Sequence, residues 1–539
     1  MEGITMRTNR YFIALAAMAA ILTGCYKDDS TTYQYEIAKV SIGADDTKAF
    51  SIGEESVFEP LIEWDGTSEN DYTYRWTLEG LETISTERVL RYKFKNTGDT
   101  YLTFQMTDKK TGVTYGQDFK CTVTTLYSLG WLVLSEGDDH SSKLSYIQMD
   151  SFKLYPDVFE EANPGVSLGK YPQRLAVHNI AKTDQILVQS NEGKDLVEVN
   201  GWNFVKASDL MDEFIDEKIP DENDFGARFV AYNNRSAELF ISKSGQIYDR
   251  VWPTSPTPTS STATFQNLLF SNQAYPMAVG KYDITYCTYP GDNTNYLPLY
   301  DSYKRRWLAY HHATTMTYSI PEFVCTAKFA DGYNWCTGMA EDVNLKYAQT
   351  YNISSYKSNL LQVLERSGVY TVETGLLTYA TSNHKITVTT PAQMTIPASA
   401  GIDEKTVFFM PHGTGTNFAN NPNVFFSVGK KVFFFSCTDG KVYLFRDFSK
   451  DENAPSGDIT DIEQNGNATQ LAVSFSDGHM FICNISSAIV TGIRQSNIDP
   501  DQVDNGILVA HVSGIPGKIV DINFKFGKVA NYTGYKIAY

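Results

Sequence analysis

The 539-residue chain reads as all-β, a β-sandwich followed by a β-propeller, and three observations predict it. Short runs rich in Tyr, Phe, Val and Ile recur along the chain between polar, Gly-containing turns, which is the patterning of strands. From about Leu126 onward the runs come in pairs around Gly137, Gly193, Gly245, Gly291, Gly368, Gly440 and Gly478, as successive hairpins require. Helical periodicity is scarce.

The first element is the apolar run Tyr11–Leu22, preceded by Arg7 and Arg10. Twelve helical residues rise about 18 Å, short of the ~30 Å hydrocarbon core, so the run reads as a secretory signal over residues 1–24 and not as a span. Leu22-Thr23-Gly24 before Cys25 resembles the bacterial lipobox, in which the cysteine is acylated and becomes the new N-terminus. An ordinary signal peptide with an incidental cysteine is the alternative. Lys27, Asp28 and Asp29 look like the signal that sends Bacteroidetes lipoproteins to the outer face of the outer membrane, although a solvated tether over 25–33 would also be charged. Asp29-Ser30-Thr31 is similar to the O-glycosylation acceptor of that phylum.

Residues 34–125 carry alternating short runs: Tyr74 with Trp76, Tyr92 with Phe94, then Tyr101 and Phe104. Such alternation over successive short strands predicts a two-sheet sandwich of immunoglobulin type. Residues 126–539 carry the paired runs, among them "GWLVLSEGDDHSSKLSYIQM", "KVFFFSCTDGKVYLFRDF" and "QLAVSFSDGHMFICNI". Most intervals between the hairpin glycines suit one four-stranded blade, and the two longest leave room for an insertion or a further blade. Seven blades are expected, with six or eight as alternatives, and a series of separate sandwiches as the competing architecture. A propeller must close its ring, and the terminal Tyr535–Tyr539 run is expected to pair near Trp131–Leu134. Ala207–Ile219 is the best helix candidate, stopped by Pro220, and the Pro-rich Trp252–Thr264 segment is expected to be a surface loop.

Formal net charge is −18, which argues against nucleic acid, whose binding rests on Lys and Arg neutralising phosphates. Besides Cys25, the six cysteines Cys121, Cys287, Cys325, Cys336, Cys437 and Cys483 form no C-x-x-C pair, so a zinc ribbon or redox dithiol is not expected. No metal or other cofactor is expected. Gly165–Gly169 matches G-x-S-x-G, but no helical period follows Ser167, so the match reads as chance. His311 and His312 are strand neighbours that point to opposite faces and are poorly placed to share one ion. Asp138-Asp139 and Glu341-Asp342 are read most simply as solvated turns. Between Tyr286 and Trp335 the density of aromatic residues is high, and Tyr289, Tyr296, Trp307, Tyr310 and Tyr333 are candidate ligand or partner contacts if on loops, and core if on strands.

In the sandwich, Tyr74-Arg75-Trp76, Gly98-Asp99-Thr100-Tyr101, the Asp108–Gly112 turn and Phe119–Val123 resemble a PKD-like domain, without its common Phe-Gly-Asp-Gly stretch. Lipobox, acidic export signal, PKD-like sandwich and propeller in that order resemble the PKD-like family of Bacteroidetes surface lipoproteins. The resemblance implies a lipid-anchored accessory subunit facing the cell exterior. Its expected partners are a SusC-like TonB-dependent transporter and a SusD-like lipoprotein, and its expected cargo is oligopeptide or glycan. It implies no catalytic residue. A surface glycan- or peptide-degrading propeller enzyme, and a structural or adhesive lipoprotein, are the competing functions.

Overall fold

A computed structural model of the chain describes residues 41–43, 48–52, 55–64, 66–95, 98–180, 183–192, 196–213, 228–233, 237–241, 247–251, 264–267, 294–301, 305–313, 323–325, 335, 338–354, 357–380, 385–411, 422–466, 468–502 and 505–525. It is all-β, with an N-terminal sandwich and a C-terminal propeller. Two compact units divide at about Thr124. No helix among the described residues is long and apolar enough to cross a membrane.

In the N-terminal unit a five-stranded sheet runs in the order Lys48–Ser51, Thr114–Thr124, Gly98–Asp108, Tyr72–Leu78, Glu82–Ser85. Two hairpin-like pairs complete it: Glu55–Phe58 with Leu90–Lys93, and Ser41–Gly43 with Leu61–Glu63. Trp76 is fully buried among Phe58, Phe104 and Phe119, with ring centroids 4.7–6.0 Å away. Its indole N–H is satisfied by Glu87 O at 3.0 Å. Tyr101 departs from the expected inward set. Strand alternation sends Leu102, Phe104 and Met106 to the core, so Tyr101 faces outward and is half exposed. The Asp108–Gly112 turn forms as expected. Asp108 Oδ1 accepts the Lys110 and Thr111 N–H groups, and the Thr111 bond leads in holding this carboxyl below its usual range. Trp76→Ala is expected to cost about 3–5 kcal/mol, the range for deleting a buried large aromatic side chain. Chemical denaturation of the isolated sandwich transition measures it.

The second unit is built from seven sheets among the described residues, each a blade. Blade 1 combines Gly130–Glu136, Ser142–Gln148 and Leu154–Tyr155 with the distant strand Lys518–Lys525. Blade 2 is Lys170–Ile180, Thr183–Glu192, Leu196–Asn200, Lys206–Asp209; blade 3 is Arg228–Asn233, Ala237–Ile241, Ile247–Val251, Thr264–Asn267. Blade 4 is described by the pair Thr294–Asp301 and Arg306–Ala313. Blade 5 is Val343–Ser354, Lys357–Arg366, Val369–Ala380, Lys385–Thr395, with Phe323–Cys325 added in parallel at its outer edge. Blade 6 is Phe408–Phe409, Asn423–Val428, Lys431–Ser436, Lys441–Asp447; blade 7 is Ile459–Gln464, Gln470–Phe475, Met480–Asn484, Leu508–Val512.

Ring closure differs from the expectation. Gly130–Glu136 pairs with Ser142–Gln148 on one edge and with Lys518–Lys525 on the other. Both edges are therefore occupied, and the terminal Tyr535–Tyr539 run, which lies outside the described residues, has no edge left at Trp131–Leu134. The closing strand is the one that starts just after Gly517.

Blades bury both faces, and this explains why their strands are apolar without a gap. Trp131 and Val133 pack toward blade 7 with Met480, Ile482 and Val512, whereas Leu132 and Leu134 pack toward blade 2 with Leu175, Ile186 and Val188. A strand covered on both sides reads as a continuous apolar run and not as an alternating one. Blades 6 and 7 meet in a phenylalanine-rich layer that includes Phe425, Phe434, Phe445, Phe448, Phe475 and Phe481.

Hydrogen bonds between inner strands add direction to this packing. Asp461 Oδ2 of blade 7 accepts the Ile522 N–H of blade 1 at 2.9 Å, and Asp521 Oδ2 of blade 1 accepts the Leu175 N–H of blade 2 at 2.7 Å. Between blades 5 and 6 a tyrosine does the same work, with Tyr347 Oη accepting the Met410 N–H at 2.9 Å. Each bond ties one blade to the next at a single register.

The helix expected at Ala207–Ile219 is replaced at its start by the outer strand Lys206–Asp209 and a 3-10 turn, Leu210–Glu213. Val197 and Val199 offer an open strand edge there, and pairing wins over local helical periodicity. Residues 214–220 lie outside the described residues. So does the Pro-rich segment up to residue 263, while Thr264 opens the last strand of blade 3. The described helices are short: α1 (Val158–Ala162) and α2 (Ser487–Arg494).

Candidate functional site

Cys25, Lys27, Asp28, Asp29, Tyr289 and Tyr333 lie outside the described residues. Tyr296 and Tyr310 stand on the two strands of blade 4, opposite His311 and Leu297 respectively, one register step apart. Trp307 is not a surface contact. It is fully buried, packs beside Tyr300 at 5.3 Å, and donates its indole N–H to Gln362 Oε1 at 2.8 Å. It falls on a strand, and there it is core.

Around Trp307 lies a buried polar network. Glu373 Oε2 accepts from Trp335 Nε1 at 3.0 Å and from Gln362 Nε2 at 2.9 Å, and Oε1 accepts from Gln393 Nε2 at 3.2 Å. Trp335 rests against Gly375, where any Cβ would come within 2.7 Å of the indole ring. Trp307, Trp335, Gln362 and Glu373 are fully buried and hold one another, so they position strands and present nothing to a ligand, while Gln393 joins them from the exposed side.

Topology points instead to one end of the ring. In an up-and-down blade the turn between the second and third strands, and the connection to the next blade, emerge at the same end. That end gathers the Glu136–Ser141 turn of blade 1 and the start of blade 2, the Arg366–Gly368 turn of blade 5, and the Ser476–His479 turn of blade 7. Loops raised on a rigid scaffold are where binding residues concentrate.

At blade 1, Glu136 Oε1 lies 2.5 Å from His140 Nδ1, and the His140 ring stacks on Tyr171 of blade 2 with centroids 4.5 Å apart and planes at 23°. His140 is about half exposed, at 52% for its side chain. Its φ is +65° and that of Tyr171 is +55°, so two bulky residues hold the left-handed conformation side by side, and Tyr171 N–H donates to His140 O. Such strain persists only where surroundings over-determine it, and it clusters at functional positions. Beside them Asp139 accepts from the Ser141 hydroxyl and N–H, the hydroxyl leading, which holds its carboxyl below the usual range.

At blade 7, Asp477 Oδ2 gathers the Ser456 and Gly457 N–H groups and the Ser456 hydroxyl, clamping the connection from blade 6. His479 follows on the same turn and meets His511 of the outer strand, Nδ1 to Nε2, at 3.0 Å. His511 also stacks on Phe481 at 4.5 Å. Burial, then the neighbouring His479, pushes the His511 imidazole below its ordinary range. Charge pairs complete this end: Arg366 with Asp342 at 2.7 Å, and Lys405 with Asp458 at 3.0 Å. The bond to Arg366 holds Asp342 below the usual carboxyl range. Glu341-Asp342 and Asp138-Asp139 are turn residues, as expected.

Sequence reading missed both histidine corners. The signal was present in "EGDDHSS" and "SDGHMF", where a histidine follows the turn acid in each second-to-third-strand hairpin. G-x-S-x-G at Gly165–Gly169 is a turn: Gly165 has φ +75°, Ser167 Oγ accepts the Gly169 N–H at 2.9 Å, and a strand follows where an elbow needs a helix. Cys121 is buried with its Sγ 3.6 Å from Phe119 O, and Cys437 and Cys483 are free thiols that burial pushes up to about 12. Such thiols are packing groups and not nucleophiles.

Comparison with known proteins adds the following. No curated protein matches the chain. Among solved structures the chain is similar to a quinonprotein alcohol dehydrogenase-like protein of Bacteroides thetaiotaomicron, at 13% identity and TM-score 0.37, covering 90% of this chain and 97% of that one. It is also similar to a putative 6-phosphogluconolactonase of Bacteroides uniformis, at 11% identity and TM-score 0.39, covering 74% and 99%. A third is the Nup133 β-propeller domain of Vanderwaltozyma polyspora, at 8% identity and TM-score 0.37, covering 70% and 95%. Over residues 25–172, which run from Cys25 through the sandwich and into the start of blade 2, the chain matches the PKD-like family.

Proposed function

We propose that this protein is an accessory lipoprotein of the outer membrane, acylated at Cys25 and facing the cell exterior. In this reading it serves a SusC/SusD-type importer. Its propeller captures oligopeptides or glycans at the end that carries His140, Tyr171 and His479, beside a SusC-like transporter and a SusD-like lid. It acts by binding and not by catalysis.

The observation that carries the reading is the reach of the PKD-like match, which begins at Cys25 and continues through the sandwich into the start of blade 2. The residue read as the lipid attachment point is thus the first residue of the matched region. Anchoring has a plain energetic basis. Each buried methylene contributes about 0.8 kcal/mol, one chain binds reversibly, and two or more make release slow. The closed ring then supplies a stiff platform, so loops at one end keep their geometry without ordering on each encounter.

Labelling with an alkynyl fatty acid in the native host is expected to mark the wild-type protein and not Cys25→Ala. Protease added to whole cells is expected to degrade it. Gentle detergent extraction of a tagged chain is expected to recover a barrel and a lid with it. An unlabelled mature protein, protection in whole cells with loss only after lysis, or recovery alone would each overturn the corresponding part.

A further inference from the structure

We infer that His479 and His511 form a proton-operated latch that helps hold the outer strand of blade 7, Leu508–Val512, onto the ring at neutral pH and loosens it in mild acid.

The geometry carries the argument. Among the described residues Leu508–Val512 is the edge strand of its sheet, paired with Met480–Asn484. At its far end His511 Nε2 lies 3.0 Å from His479 Nδ1, across to the turn that begins at Asp477. One imidazole must accept for this bond to exist. A neutral pair, or a pair sharing a single extra proton, satisfies that requirement, whereas two imidazolium rings present only donors to each other. The second proton therefore converts an attraction at 3.0 Å into a repulsion.

Groups facing the pair do not remove this conflict. Asp477 on the turn and Asp451 after the last strand of blade 6 favour a charged His511, while burial and His479 disfavour it more strongly. Asp451 is also engaged by Arg446, and Asp477 is occupied by Ser456 and Gly457. On the remaining side lies the Phe481 ring, stacked on His511 at 27° and joined to the apolar layer through Phe448 and Phe475. Separating the two histidines therefore lifts His511 off Phe481 as well, while the pairing of Val512 with Met480 and the Ile515 N–H donated to Gly478 O at 3.3 Å also tie that end.

The sign follows from linkage. His511 takes up its proton less readily in the folded chain than in the unfolded one, so its contribution is intact above about pH 6.5 and is lost as pH falls below it. Both imidazoles are partly accessible to solvent, so the proton reaches them without unfolding.

Hydrogen exchange of the full mature chain at pH 7.5 and pH 5.0, corrected for the intrinsic pH dependence of exchange, tests the latch. Protection of Leu508–Val512 is expected to fall severalfold at pH 5.0 relative to pH 7.5. Lys518–Lys525 is expected to stay protected. In His511→Gln the pH dependence of that strand is expected to vanish, and His479→Gln should do the same should the first variant fold poorly. Equal protection at both pH values, or the same acid loss in both variants as in the wild type, would overturn the proposal.

Discussion

Truncation after Gly517 is expected to leave no cooperatively folding propeller. The lost residues include Lys518–Lys525, the inner strand of blade 1, paired along all of Gly130–Glu136. It carries Ile519, Ile522 and Phe524 into the layer with Trp131, Val133 and Met480. Three buried side chains of this size contribute about 1.5–3 kcal/mol each, which together rivals the whole net stability of a typical domain, about 5–15 kcal/mol. Asp521 and the Ile522 N–H donor go with them, so two of the inter-blade bonds vanish and Asp461 is left buried without that donor. A gentler version is Gly517→Ala. Gly517 has φ +75°, and a Cβ there would sit 2.1 Å from Glu136 O, a backbone atom that cannot swing away. Left-handed strain alone costs about 1–3 kcal/mol, and the overlap adds to it. Near-UV circular dichroism on heating checks both. A truncated chain that melts like the wild type would remove the closing role assigned to this strand.

Glu373→Ala is expected to destabilise the propeller by about 3–5 kcal/mol, the range for removing one partner from a buried charged network. The reason lies in what remains. Trp335 Nε1, Gln362 Nε2 and Gln393 Nε2 all donate to this one carboxyl group, and the fully buried Trp335 and Gln362 cannot turn to water instead. Leaving a buried donor unmet costs about 1–3 kcal/mol apiece, so the loss exceeds that of an ordinary surface change by far. Glu373→Gln keeps one acceptor oxygen and replaces the other with a donor, so an intermediate loss is expected. Equilibrium denaturation of the three proteins ranks them. A Glu373→Ala chain within 1 kcal/mol of the wild type, the scale of an ordinary single hydrogen bond, would show that the network does not hold blade 5.

Trp307 and the blade 1 closure illustrate how far the chain could be read without coordinates. Its strands were legible because turn glycines and β-rich runs are local, and the structure places positive φ at Gly368, Gly440 and Gly478 as those hairpins require. The Asp108 turn was legible for the same reason. Burial of Trp307 was not, because an indole in a strand looks alike whether its N–H meets water or Gln362. Nor was the histidine pair of blade 7, whose members are separated by 32 residues and brought together by one hairpin register. The helix expected at Ala207 failed because an open edge at Val197–Val199 competes with local periodicity, and only the fold contains that edge.

Residue order by itself determined the all-β class, the positions of many turns, and the sandwich with Trp76 at its centre. These follow from interactions among near neighbours and from the solvent preference of each side chain. Tertiary structure decided which strand closes the ring, which aromatic residues are core, and which turns share one end. Those outcomes depend on pairings such as Gly130 with Lys525, made across nearly the whole propeller. Apolar runs of equal length are interchangeable as partners until packing on both faces and a few directed bonds, such as Asp521 to Leu175, select one register.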